Sequence, residues 1–201
     1  MERGHVVHAL TRPGSEGKLP QRALKVVGNA LDESTFASSI PAGSTLVHLV
    51  GTPHPSPAKG AEFRRIDLVS IQASTRAATR SGVAHIVYVS VAHPAPIMHA
   101  YIAARREGEA LVSATGIRAT ILRPWYVLGP GHWWPYALVP VYAVLRRIPS
   151  TRASALRLAL VTHGAMVNAL VHAVENPPLD GVRVLDASAI SRLAAAHASS
   201  R

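Results

Sequence analysis

Along the chain, short apolar runs alternate with longer stretches of helical period, the order expected of βαβ units. Val6 to Leu10 predicts a strand, and Ala23 to Val27 predicts a second that closes on Gly28-Asn29-Ala30. Asp32 to Ser39 opens on an acidic cap candidate and predicts a short helix. Thr45 to Val50 has the pattern of a buried strand and runs into the loop Gly51-Thr52-Pro53. Ala61 to Ser81 is helical in period and stops at Gly82, and Ala84 to Ser90 predicts the next strand. Pro96 to Thr115 predicts a long helix closed by Gly116, followed by a strand at Ala119 to Leu122. Arg123 to Gly131 reads as a stiff loop, and Trp133 to Arg147 as an apolar stretch broken by Pro135 and Pro140. Thr162 to Asn176 predicts a helix stopped by Pro177-Pro178, and Gly181 to Leu185 a last strand. The tail from Ser191 is expected to fray.

This pattern implies a single α/β domain over residues 1–190, built on a doubly wound parallel sheet. A small substrate-side segment at 132–160 and a frayed tail at 191–201 complete it. At 201 residues and 48% hydrophobic, the chain is long enough to enclose a full core. No apolar run reaches the roughly 18 residues that span a bilayer, and no signal-peptide core opens the chain. The expected location is therefore cytoplasmic. The lack of cysteine excludes a disulfide framework and thiolate chemistry.

The net charge of +10 raises a nucleic-acid reading, but the distribution of the charge argues against it. Arginines are spread along the chain, with doublets only at Arg64-Arg65, Arg105-Arg106 and Arg146-Arg147. No basic run is interleaved with aromatics as base stacking would require, so nucleic acid is not an expected partner. The eleven histidines include no pair at helical metal-ligand spacing beside a carboxylate, and no metal site is expected. His48 and His85 fall inside strand patterns and read as packed side chains. No nucleophile elbow and no Walker-type phosphate loop is present.

The run Ile121-Leu122-Arg123-Pro124-Trp125-Tyr126-Val127-Leu128-Gly129-Pro130-Gly131 resembles the extended and atypical short-chain dehydrogenase/reductase superfamily. These are the NAD(P)-dependent epimerase/dehydratase-like and NmrA-like proteins. Gly4-His5-Val6-Val7 with Arg12, Val27-Gly28-Asn29, His48-Leu49-Val50-Gly51 and Val87-Tyr88-Val89-Ser90 extend the resemblance in the right order. So do Tyr101 to Glu109 and Leu160-Val161-Thr162.

The resemblance implies a Rossmann-like fold, a dinucleotide cofactor, and an oxidoreductase or epimerase activity on a carbonyl or sugar-like substrate. Arg12 would stand beside the adenosine ribose, where a basic residue pairs the extra phosphate of NADP, tilting the choice toward NADP over NAD; the alternative is a solvated arginine at a strand end. Asn29 and Ala30 occupy the place near the adenine, or Asn29 is a turn residue. Val50 and Gly51 would end a strand close to the cofactor, where a side chain would obstruct. Ser90 and Tyr101 match the serine and tyrosine that polarise a carbonyl or move its proton. Arg105 stands where the family has lysine, four positions after Tyr101 and on the same helix face; alternatively Tyr101 is a surface helix residue.

Pro124, Trp125 and Tyr126 would lie at the carboxyl end of a strand beside the nicotinamide. With Trp133, Trp134 and Tyr136, Trp125 would line an apolar pocket or simply pack the small segment. Met1 to Pro13 reads as the last turn of a helix, a glycine cap and a strand, so the resemblance implies a sheet without its first strand and glycine-rich turn. Either Met1 is an internal methionine of a longer protein or the chain is truncated. The competing class is a non-catalytic dinucleotide sensor or assembly factor with a protein partner, or a fragment without function.

Overall fold

The computed structural model describes residues 3–129, 147–148 and 158–198. The segment 132–160, including Trp133, Trp134 and Tyr136, falls almost wholly outside the described residues. Among those residues, eight short strands form three parallel sheets. A four-stranded sheet has the order β3 (Thr45–His48), β4 (His85–Val89), β5 (Arg118–Arg123) and β8 (Val182–Asp186). Strands β1 (His8–Thr11) and β2 (Leu24–Val27) form a ribbon of their own, with Leu10 opposite Val26. The third pair is β6 (Tyr126–Leu128) with β7 (Leu160–Thr162).

The four-stranded sheet is covered on both faces because its central strands are apolar on both. Ile86 and Tyr88 of β4 and Ala119 and Ile121 of β5 point to one face. There they meet Leu68, Ile71 and Ala78 at helix α1 (Val69–Arg80) and Val112 of helix α2 (His99–Ala114). Val87 and Leu122 point the other way, onto Ala165, Met166, Ala169 and Ala173 of helix α3 (His163–Glu175). Ala187 and Ile190 of helix α4 (Ala187–Ala198) pack into the same layer. Small residues on the buried side of α1 (Ser70, Ala73, Ser74, Ala77 and Ala78) let this helix lie close to the strands. The result is an open parallel sheet wound on both sides, as the alternating pattern predicts.

No strand pairs β1 with β3 among the described residues. The ribbon is fastened by other means. Val26 packs with Phe36, Ala37 and Ile40 against Ala73 and Ala77 of α1. Arg3 and His5, ahead of β1, bind the Glu175 carboxylate at the end of α3, at 2.9 and 3.2 Å.

Four local expectations change. Asp32 to Ser39 is not one helix but two 3₁₀ turns, Glu33–Thr35 and Ala37–Ser39. The Asp32 carboxylate caps the Ser34 amide, and the Thr35 hydroxyl bonds the carbonyls of Asp32 and Asn29, so side chains compete with helical bonding. The helix expected over Ala61 to Ser81 contains a π-helical turn, Phe63–Leu68, between a short turn Gly60–Glu62 and α1. The stiff loop from Arg123 contains β6, which β7 pairs. The chain from Ser191 does not fray at once; it continues α4 to Ala198, because Leu193 and Ala194 extend the stripe begun by Ile190. The Asp186 carboxylate accepts from the Ala189 amide at the start of that helix.

Candidate active site

Parallel strands end on a common edge, and open α/β sheets expose their backbone and loops to ligands along the carboxyl edge. Val50 and Gly51 follow β3, Ser90 follows β4, and Pro124, Trp125 and Tyr126 follow β5. The Pro124 carbonyl accepts from the Ala92 amide at 2.9 Å, tying the two loops together, and Trp125 meets Tyr126 edge-on at 5.6 Å.

Helix α2 supplies the polar groups. Its buried face runs through Ile102, Arg105, Glu109 and Val112, at helical spacing. A buried charge must be paired, and both are. Glu109 accepts two hydrogen bonds from the Arg123 guanidinium at 2.9 and 2.5 Å, joining α2 to the end of β5. Arg105 reaches the sheet edge. Its Nη1 donates to the Val89 carbonyl at 3.0 Å, its Nη2 donates to the Val50 carbonyl at 3.4 Å, and Nη2 pairs with Asp67 Oδ1 at 2.7 Å. Strands β3 and β4 pair as far as His48 and Tyr88, so Arg105 bridges them where their own ladder ends.

Asp67 is held in turn. Its other oxygen accepts from the Thr52 amide at 3.0 Å and from the Thr52 hydroxyl at 2.5 Å. Above this pair, the Arg105 guanidinium lies 5.2 Å from the Tyr101 ring centre and 5.9 Å from that of Tyr88. Phe63 packs on Tyr101 at 5.0 Å. Ser90 is buried, and its hydroxyl has no hydrogen-bond partner.

Burial pushes the Tyr101 phenol above its ordinary range; Arg105 beneath it pulls the other way, and Asp67 pushes it up again. Tyr88 is pushed up to about 12, again chiefly by burial. His48, bonded to Ser74 and Ser70, is lowered to about 3 by burial and by Arg105, and stays neutral. His85, bonded to Thr120, is lowered to about 4 by burial, with Arg183 and Arg118 adding to the effect.

Ser90, Tyr101, Arg105, Val50 and Gly51 therefore gather at one place. The structure adds neighbours to two of them. Arg105 sits under the Tyr101 ring and is also engaged by Asp67 and two backbone carbonyls. A side chain at Gly51 would collide with the Arg105 guanidinium, which is the protein group that demands glycine there. Arg12, Asn29 and Ala30 stand on the ribbon, which shares no strand pairing with β3. Arg12 is exposed at the end of β1. The Asn29 side-chain oxygen accepts from the Leu31 amide, closing a local turn.

Asp67 and Thr52 escaped the sequence reading, as did the Glu109–Arg123 pair. Asp67 did leave a trace: it stands four residues after Phe63 and four before Ile71, on the apolar stripe, where an acid implies a buried cation.

With this geometry in view, three solved structures show what the chain is similar to. A nucleoside-diphosphate-sugar epimerase from Staphylococcus aureus matches at a TM-score of 0.57 and 16% identity, over 87% of this chain and 60% of its own. WbmH from Bordetella bronchiseptica, in complex with NAD+, matches at 0.64 and 18%, over 98% and 74%. MoeE5, in complex with UDP-glucose and NAD, matches at 0.65 and 19%, over 98% and 75%. The fold is Rossmann-like. The chain spans 60% of the length of the Staphylococcus epimerase and 63% of that of another neighbour, gox2253. No family model and no curated protein matches the sequence. Among the described residues, no helix is long and apolar enough to cross a membrane.

Proposed function

We propose that the chain is a nicotinamide-dinucleotide-binding protein of the epimerase/dehydratase-like short-chain dehydrogenase superfamily, acting on a carbonyl or sugar-like substrate. The observation that carries this reading is Arg105 under Tyr101, bonded to the Val89 carbonyl just before Ser90 and crowding Gly51, at the carboxyl edge of a doubly wound parallel sheet. That structural neighbours hold NAD or a nucleotide sugar supports it. The residues present fit such a group: Ser90 offers a buried hydroxyl without a partner, and Arg12 offers an exposed guanidinium to an anion.

Val50, Gly51, Pro124, Trp125 and Tyr126 would hold the cofactor along the edge, with Arg12, Asn29 and Ala30 on its adenosine side. Bound there, the dinucleotide supplies hydride transfer. The chain's own contribution is orientation and a proton. Ser90 donates a hydrogen bond to the substrate oxygen. Tyr101, with its proton affinity raised by burial, gives its hydroxyl proton to that oxygen during reduction. NADP is the favoured cofactor on account of Arg12.

Calorimetric titration with NAD and NADP tests the reading. NADP binding that weakens in Arg12→Ala, and turnover that falls about 10²–10⁴-fold in Tyr101→Phe, are expected. No binding of either dinucleotide overturns it. One observation favours a second reading, a binding protein without turnover: Asp67 and two carbonyls already engage Arg105. Binding without Tyr101-dependent turnover would select that reading.

A further inference from the structure

The polar groups beneath Tyr101 form a closed chain. Thr52 holds Asp67, Asp67 holds Arg105, and Arg105 lies under the aromatic ring. Each link is buried: Asp67 is 1% exposed and Arg105 6%. The position of Asp67 has a local cause. It stands in the π-helical turn Phe63–Leu68, whose wider winding puts Phe63, Asp67 and Leu68 all on the buried side. Phe63 packs on the Tyr101 ring at 5.0 Å and Asp67 pairs with the guanidinium at 2.7 Å, so one turn holds both partners.

We propose that Asp67 is a positioning residue that fixes Arg105 beneath the Tyr101 ring as a charge-neutral pair, so that Tyr101 works as a phenol. This rests on Tyr101 being the proton donor of the proposed site. A bare guanidinium at that distance would favour the phenolate and turn Tyr101 into a base. Among the described residues, the titratable groups that face Tyr101 come from three elements besides its own. Arg105 comes from its own helix, Asp67 from the π turn and Tyr88 from β4, and His48 of β3 stays neutral behind Arg105. Of these only Asp67 carries a charge able to cancel that of Arg105. Arg105 would then be a fixed support for the ring, and its choice over lysine follows from geometry. The guanidinium fork reaches Asp67, Val50 and Val89 at once, which a single ammonium cannot match in a plane.

The test reads the phenol directly. Protein labelled with ¹³C at tyrosine Cζ gives a signal for each of its five tyrosines, and Tyr101→Phe identifies the relevant one. In the unsubstituted protein the Tyr101 signal should remain that of a phenol beyond the ordinary value of 10.0. Asp67→Asn, which keeps the shape and removes the charge, should move its midpoint down by about one pH unit or more. Asp67→Glu should restore it. An unchanged midpoint in Asp67→Asn overturns the proposal. Should that variant fail to fold, Asp67→Glu, which keeps the charge, replaces it: a Tyr101 midpoint that stays within a few tenths of the unsubstituted value in Asp67→Glu supports the proposal, and a Tyr101 midpoint below the ordinary value in the unsubstituted protein overturns it. The titration uses neither cofactor nor substrate, so absent dinucleotide binding or turnover would count against the proposed function and leave this result standing.

Discussion

The four-stranded sheet and the β1–β2 ribbon are made from the same kinds of residue and end up in opposite circumstances. In β4, Ile86, Val87 and Tyr88 are buried, with α1 and α2 on one side and α3 on the other. In the ribbon, Leu24 is 52% exposed and Val27 48%, and only Thr11 of the eight strand residues is buried. The contrast extends to β3, the strand at the boundary. Its buried side holds His48, while Val47 and Leu49 on the other side are exposed, Leu49 by 60%. Apolar strands are thus not enough to make a core; each needs a helix on its face, and the described residues supply helices mainly to β4 and β5. Stability and the candidate catalytic groups belong to the four-stranded half. The ribbon brings Arg12 and Asn29, the groups read as facing the adenosine end.

Substitutions should separate the two halves. The largest loss is expected at the buried ion pair. Arg105→Ala leaves the Asp67 carboxylate buried without its cation and should cost about 3–5 kcal/mol in urea unfolding. The pair that joins the ribbon's following turn to α1, Arg76 with Glu33, lies at the surface, and Arg76→Ala should leave the midpoint within scatter. If the two losses were equal, the division would be wrong.

Next come apolar truncations. Leu122→Ala, in the layer between β5 and the helices α3 and α4, should cost about 2–5 kcal/mol, whereas Val27→Ala on the ribbon should cost less than about 1 kcal/mol. A comparable loss at Val27 would show that the ribbon is part of the cooperative core.

Acid should sharpen the same line by a smaller amount. His48 titrates near 3 in the folded chain against 6.5 ordinarily, because burial and Arg105 oppose its charge. Between those values the unfolded chain holds a proton that the folded chain lacks. Its contribution is therefore complete above about pH 6.5 and is lost progressively as the pH falls toward 3. At about pH 5 the loss should be roughly 2 kcal/mol from His48 alone. Unfolding midpoints at about pH 7.5 and pH 5 should differ accordingly, and His48→Gln should remove that share. An equal acid response in this variant would assign the effect elsewhere.

The fold was legible where burial is simplest. Strands β4 and β5 announce themselves as unbroken apolar runs, and α2 by its spacing and its closing glycine. The Tyr101–Arg105 relation was legible too, since four positions on a helix make neighbours. Other features depend on groups distant in sequence. Arg105 has its carboxylate partner on another helical segment, so the pairing with Asp67 has no local sign. Gly51 was marked as crowded by a cofactor, and only the folded chain adds the Arg105 guanidinium to what a side chain there would meet. The two 3₁₀ turns after Asn29 were misread as a helix because the capping signal of Asp32 is the same for both. Strand β6 was hidden because its three residues gain their identity from β7, far along the chain.

The π-helical turn gives the chain an unusual sensitivity to changes of length. A turn of that kind holds one residue beyond the ordinary helical count. Point substitutions across Phe63–Leu68 alter chemistry and leave the winding in place. The loss of a single codon there would let the segment relax to a regular helix, rotating everything on its upstream side by about 100° relative to α1. Phe63, at the upstream end of the turn, would then shift against the Tyr101 ring on which it packs. Among descendants of this sequence, the stretch should accept new residues far more readily than a gap.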